Sequence, residues 1–344
     1  MNPYRSLCKA SDFHSDTRAF FHDRSVAVTG GSGFIGSHVV EQLLALGARP
    51  IVLSRQEAPR FLAHLRDEVT IRRCDLADFA QTRAALAGVT CILNLAASVA
   101  GLEYNAKHPA SIFQANLSTY FNVIRAAEEL KVERFLVTSS ACVYPRHCSI
   151  PTPEEEGFEG EPEPTNSGYG WAKRMEEYLG IQYAREFGLS VAIARPYNSY
   201  GPRDNFAPAS SHVLPALILK AFQTQDGRLS VWGDGSHSRS FLYVDDFARG
   251  LLEVAARHPH AEALNIGADE EVTIRQAAEL IATKVGALRG RTITPVFDSQ
   301  GLTGQPRRRC DTRKAEAKLG YHALVPFSDG LNRTIEWYTK GLNA

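Results

Sequence analysis

Residues 25–36 read SVAVTGGSGFIG, and no other stretch limits the fold as tightly. A β-branched run ends on glycine, Gly30, Gly33 and Gly36 follow at every third position, and HVVEQLLALG then sets apolar residues at helical spacing until Gly47. This is a strand running through a glycine turn into a helix. The glycines let backbone turn sharply and approach a pyrophosphate, and the helix start supplies amide donors and the positive end of its dipole. Glycine turns alone are common; the strand–helix context makes this one a dinucleotide site.

The rest of the first half repeats the alternation. Strands are expected at 49–54, 69–76, 89–98, 133–140 and 189–196, with helices near 78–87, 108–130 and 168–187 between them. That rhythm predicts a Rossmann-type α/β fold, a doubly wound parallel sheet with helices on both faces. After residue 200 the rhythm changes. Short strands at 229–233 and 264–268 sit among helices at 208–223, 245–257, 273–285 and 328–340. These predict a smaller, mostly helical substrate lobe. The expected division is an N-terminal arm over 1–24, a dinucleotide-binding domain over 25–200 and the lobe over 201–344, with the chain free to cross between lobes. The acidic, proline-rich run PTPEEEGFEGEPEP at 151–164 reads as a solvated loop without a catalytic role.

Lys plus Arg and Asp plus Glu are equal at 38 each, which speaks against a nucleic-acid binder. The six cysteines form no C-x-x-C pair and no zinc spacing, so no metal is expected and reduced thiols in a cytoplasmic protein are. No run reaches the roughly 18 apolar residues of a membrane span, and the polar first 24 residues do not read as a signal peptide.

The end of the second strand reports on the cofactor ribose. An NAD site usually carries a carboxylate there; this chain has Ser54 and Arg55. A guanidinium suits a 2′-phosphate, so NADP is expected, with NAD as the alternative. Asp75 and Leu76, after the third strand, are expected near the adenine. Asn94, Leu95 and Ala96, ending the fourth, are expected against the cofactor.

YGWAK sets Tyr169 and Lys173 at i and i+4 on one helix face. An ammonium beside a phenol favours the phenolate, which lets the tyrosine exchange a proton with a carbonyl oxygen while hydride moves to carbon. Ser140, closing the preceding strand in SSACVYP, is placed to hold the same oxygen.

Together VTGGSGFIG, LAAS, SSACVYP, YGWAK, RPYNSYGP and RSFLYVDD resemble the extended short-chain dehydrogenase/reductases, the NAD-dependent epimerase/dehydratase family, over nearly the whole chain. The resemblance implies a nicotinamide cofactor, a nucleotide-sugar substrate and Ser140, Tyr169 and Lys173 as the catalytic triad. It completes the cofactor set with Phe34, Ile35, Ala97 and Pro196. SSACVYP and GPRDNFAPASSHVLPALILK are most similar to the GDP-L-fucose synthase branch, which epimerises carbons 3 and 5 of a GDP-4-keto-6-deoxy sugar and reduces carbon 4. In that branch Cys142 and His212 would be the base and acid of inversion. Asn198, Arg239 and Arg308 would hold the diphosphate, and Val213, Lys220 and Trp232 would surround the nucleoside. A homodimer through the helices at 108–130 and 168–187 is implied too. The branch reads V-G-G where this chain has Val99, Ala100 and Gly101. Two rivals stand beside this reading: a GDP-sugar epimerase retaining NAD without net redox, its sugar open to a heptose or octose, and a non-catalytic NADP-binding module.

Overall fold

Each β-branched run becomes a strand, largely buried except at the sheet edge, where β3 is partly exposed: β1 (Ser25–Thr29), β2 (Arg49–Ser54), β3 (Thr70–Arg73), β4 (Cys91–Asn94), β5 (Arg134–Thr138) and β6 (Val191–Pro196). The computed structural model describes residues 5–99, 101–208, 210–298 and 305–342. A seventh strand, Ala263–Ile266, pairs with β6. The order is Ala263–Ile266, β6, β5, β4, β1, β2, β3, with every pairing parallel. Strand order reverses between β1 and β4, and ligands of such sheets bind at the carboxyl ends beside that point.

Parallel strands need helical crossovers, and these cover both faces. The helices, in chain order, are α1 (Ser15–Phe21), α2 (Phe34–Ala45), α3 (Phe79–Ala85), α4 (Leu102–Lys107), α5 (Pro109–Glu129), α6 (Ser167–Phe187), α7 (Val213–Gln223), α8 (Val244–Arg257), α9 (Ile274–Arg289), α10 (Arg313–Leu319) and α11 (Phe327–Leu342). One face packs Val39, Val40 and Leu43 of α2 with Leu251 and Leu252 of α8. The other packs Tyr120, Val123 and Ile124 of α5 against Phe135, Val137 and Val191. A second core joins Leu214, Leu217 and Ile218 of α7 to Ala277 and Ile281 of α9 and to Leu229 and Val231. It sits over the parallel pair Arg228–Trp232 and Thr294–Asp298.

Four features differ from the sequence reading. The strand near 264 and α8, expected in the second lobe, belong to the first sheet and its cover: the chain crosses back, because the open edge of β6 still needed a neighbour. Residues 5–24 do more than lead into β1. Phe13 and Phe21 enter the first core, Ser6 Oγ donates to Asp245 Oδ1 at 2.8 Å, and Thr17 Oγ1 donates to Glu253 Oε2 at 2.7 Å. The run 151–164 is not a free solvated loop. Glu154 and Glu163 are buried, Glu154 Oε1 accepts from Asn265 N at 2.8 Å, and Arg195 donates to Glu154 O at 2.6 Å. The helix expected from 208 begins at Val213. Among the described residues no helix is long and apolar enough to cross a membrane.

Candidate active site

A cavity of about 1560 Å³ runs along the carboxyl ends of the strands and under the second lobe. Its floor is the glycine turn. Gly30 takes φ +65°, and a Cβ there would press on Ala96 backbone at 3.0 Å. A Cβ on Gly36 would sit 2.2 Å from Gly30 O. Gly33 caps α2 with no side chain in the way, so the first helical amides, at Phe34, Ile35 and Gly36, face the cavity lining. Thr29 shapes the opposite lip. Its Oγ1 donates to Asn94 Oδ1 at 2.7 Å and accepts from Leu95 N and Ala96 N at 3.0 Å. Leu95, Ala96 and Ala97 thereby line the cavity, whereas Asn94, expected against the cofactor, is buried on Thr29 and does not.

At one end the lining includes Ser54, Arg55, Asp75 and Leu76. Ser54 is buried and its Oγ accepts from Gln56 N at 3.0 Å, which shapes the turn that presents exposed Arg55. Arg60 and His64, which sequence reasoning passed over, join this end. His64 is held by Glu41 at 2.7 Å. Pro196, the last residue of β6, lines the cavity further along.

In the middle the helix α6 brings Tyr169 and Lys173 to the cavity, and the end of β5 brings Ser140. The Lys173 ammonium lies 5.6 Å from the Tyr169 ring centroid. Its Nζ donates to Thr138 O at 3.0 Å and to Glu176 Oε2 at 2.8 Å. Burial raises the Tyr169 phenol to about 12, outweighing Lys173 and the Ser140 hydroxyl, which pull it down. The lowering expected from Lys173 is thus overcome by desolvation. Cys142 and the buried Glu176 also push the phenol up.

Cys142 sits on a short turn, Ala141–Val143, whose flanking residues are buried while Cys142 opens to the cavity. Asn166 Nδ2 donates to its Sγ at 2.9 Å, and a guanidinium nitrogen of Arg308 lies 3.8 Å away. His212 caps α7 and lines the same cavity. His212 is exposed to the cavity, and desolvation by the protein around it lowers its pKa, which favours the neutral imidazole at pH 7. Asp204 is a further acid in the lining: it is buried, accepts from Asn205 N at 2.7 Å, and has no partner on Oδ2.

The second lobe divides the expected substrate residues. Asn198 and Arg308 line the cavity. Arg239 pairs in register with Arg308 on a neighbouring short strand. Burial and Arg308 lower its pKa to about 10, so two guanidiniums meet without enough negative charge between them. Arg307, by contrast, is spent on a fork to Glu271 at 2.6 and 2.7 Å. Val213, Lys220 and Trp232 lie outside the main cavity. Lys220 Nζ is 5.0 Å from the ring centroid of Trp232, which is 58% exposed, so the pair forms an open shelf. In the loop that departs from the branch pattern, Val99 lines the cavity and Ala100 lies outside the described residues.

Residues 26–267 match the family described as NAD dependent epimerase/dehydratase. The chain belongs to that family. It is an enzyme, and the cradle fits a nicotinamide dinucleotide: a side chain at Gly30 or Gly36 would strike the backbone of Ala96 or of Gly30, so glycine is what lets the turn close this tightly and offer bare backbone to a pyrophosphate. A protein of Oryza sativa named probable GDP-L-fucose synthase 1 is 33% identical over 321 residues, 92% of each chain. A dTDP-4-dehydro-6-deoxy-D-allose reductase of Streptomyces bikiniensis is 30% identical over 324 residues, 92% of this chain and 96% of its own. A crystal structure of a GDP-L-fucose synthetase from Naegleria fowleri bound to NADP superposes with a TM-score of 0.77 at 26% identity, covering 94% and 95%.

Proposed function

We propose that this enzyme is an NADP(H)-dependent GDP-4-keto-6-deoxy-sugar 3,5-epimerase and 4-reductase. The observation that carries the reading is the shared cavity: Cys142 and His212 open into the same space as Tyr169, Lys173 and Ser140. A ketone at carbon 4 acidifies the hydrogens on carbons 3 and 5. Inversion needs one group to remove a proton and another to return one from the opposite face. Neutral His212 can accept a proton, and Asn166 and Arg308 aim donors at the Cys142 sulfur, where negative charge collects when its proton leaves. Reduction then needs a proton for the carbonyl oxygen. Tyr169 holds one through neutral pH, and Ser140 lies beside it to orient that oxygen. A bound dihydronicotinamide supplies the hydride. Arg239 and Arg308 would take the diphosphate, with Asn198 beside them, and Lys220, Trp232 and Val213 would form a shelf for the base.

Arg55, with no carboxylate at the end of β2, supports NADP over NAD, as does the NADP in the Naegleria fowleri relative. A homodimer through α5 and α6 belongs to the same reading, supported by Phe121, Trp171 and Tyr178, which stand exposed on those helices. The allose reductase relative favours a second reading, ketone reduction on a dTDP sugar without inversion. Solvent exchange separates the two. In deuterated water, Cys142→Ser is expected to abolish deuterium uptake at carbon 3 of the sugar while cofactor still binds. Uptake at the native rate would remove Cys142 from the reaction.

A further inference from the structure

Glu176 has no part in the sequence motif, yet it is the group that touches the catalytic lysine. It lies one turn beyond Lys173 on α6, 1% exposed, with Oε2 2.8 Å from Lys173 Nζ. Lys173 spends a second donor on Thr138 O at 3.0 Å. Two of its three donors are thus fixed by protein, and the third is left for the cavity. We propose that Glu176 is a positioning residue that offsets the Lys173 charge and so keeps on the Tyr169 hydroxyl the proton that a ketone oxygen receives.

The surroundings bear on this. Next along α6, Glu177 is taken by Arg195 of β6 at 2.7 Å and by the Ser139 hydroxyl, so it is already paired. From α5, Tyr120 donates to the Glu176 backbone carbonyl at 2.7 Å and leaves the carboxylate alone. Cys142, from the turn after β5, acts on both Tyr169 and Lys173. Lys173 is therefore the cation facing the Glu176 carboxylate, and the carboxylate faces it at contact distance in a dry place. There, opposite charges cancel strongly as seen from a third group. Burial raises the Glu176 carboxyl above the usual carboxylate range, and Glu176 in turn raises Tyr169. A tyrosine that must give its proton to a ketone needs that proton at working pH. One that must take a proton from an alcohol needs the reverse.

The link to ketone reduction rests on the function proposed above; the phenol titration does not, since it uses the protein without substrate. Phenolate absorbance is followed against pH in the native protein and in Glu176→Gln, each compared with its Tyr169→Phe counterpart. Gln still accepts from Lys173 but carries no charge. The native protein is expected to show no Tyr169-dependent phenolate signal below pH about 11, and Glu176→Gln is expected to show it at least about one pH unit lower than native. The upper pH limit of ketone reduction should fall by about the same one pH unit in Glu176→Gln, since above the phenol's titration the proton for the ketone oxygen is gone. If the Gln variant does not fold, Glu176→Asp draws the carboxylate back from Lys173 and should shift the signal the same way by less. No shift in whichever variant folds would overturn the proposal, as would lost activity with the phenol titrating as in the native protein. A shift in the phenol with no ketone reduced by native protein would instead sink the function and spare the electrostatics.

Discussion

Replacing Asp204 by asparagine should stabilise the cofactor-free protein, and only at high pH. Asp204 is 6% exposed, and burial lifts its carboxyl from 3.8 to about 7. The folded state therefore holds the proton more tightly than the unfolded chain. Between pH 3.8 and about 7 the folded protein binds more protons, so this group's contribution to stability falls as pH rises through that window and stays flat above it. At about 1.4 kcal/mol for each pH unit, ionising Asp204 costs the fold about 4 kcal/mol above pH 7 and about 1 kcal/mol at pH 4.5. Asp204→Asn removes that cost. The new amide leaves an unpaired donor at every pH, a fixed penalty of about 1–3 kcal/mol. The diagnostic is the change between conditions. Urea unfolding of both proteins at pH 4.5 and 8.5 should show the variant gaining about 3 kcal/mol relative to native on going to the higher pH. A stability difference that stays constant between the two would refute the account of a desolvated carboxyl.

Arg55→Ala should raise KM for NADPH about tenfold or more and leave KM for NADH unchanged, the mark of a lost 2′-phosphate contact. Equal loss for both cofactors would place Arg55 elsewhere. Gly36→Ala would drive a Cβ to 2.2 Å from the Gly30 carbonyl, backbone that cannot yield, so cofactor binding followed by fluorescence should vanish. Tyr178→Glu combined with Phe121→Glu should convert a dimer to a monomer in light scattering, since both rings are about half exposed on α6 and α5. An unchanged mass would move the interface off those helices.

The glycine turn and the Tyr169–Lys173 pair were legible because local geometry sets them: a triplet spacing for the turn, one helical turn for the pair. The parallel sheet followed from the alternation of strand and helix. Glu176 was hidden by the same periodicity, since a Lys and a Glu three apart usually mark a solvated helix face. Only the packing of α6 on β5 and α5 shows that this pair is buried. Glu154 and Glu163 misled for a related reason. Acid and proline in a run point to solvent, whereas here Asn265 N donates to the Glu154 carboxylate and Thr165 N to that of Glu163. The return of Ala263–Ile266 to the first sheet depends on a contact with β6, nearly seventy residues earlier in sequence, which no local pattern carries. Asn94 looked like a cofactor contact from its place at a strand end. Its fate was decided by Thr29, on the neighbouring strand.

The most direct test of the account follows nicotinamide absorbance and product mass together, with GDP-4-keto-6-deoxymannose and NADPH in deuterated water. The expected result is one NADPH oxidised per sugar released, with carbon-bound deuterium at both carbons flanking the former ketone. Product carrying that deuterium with no NADPH consumed, or NADPH consumed with no deuterium on those carbons, would contradict it.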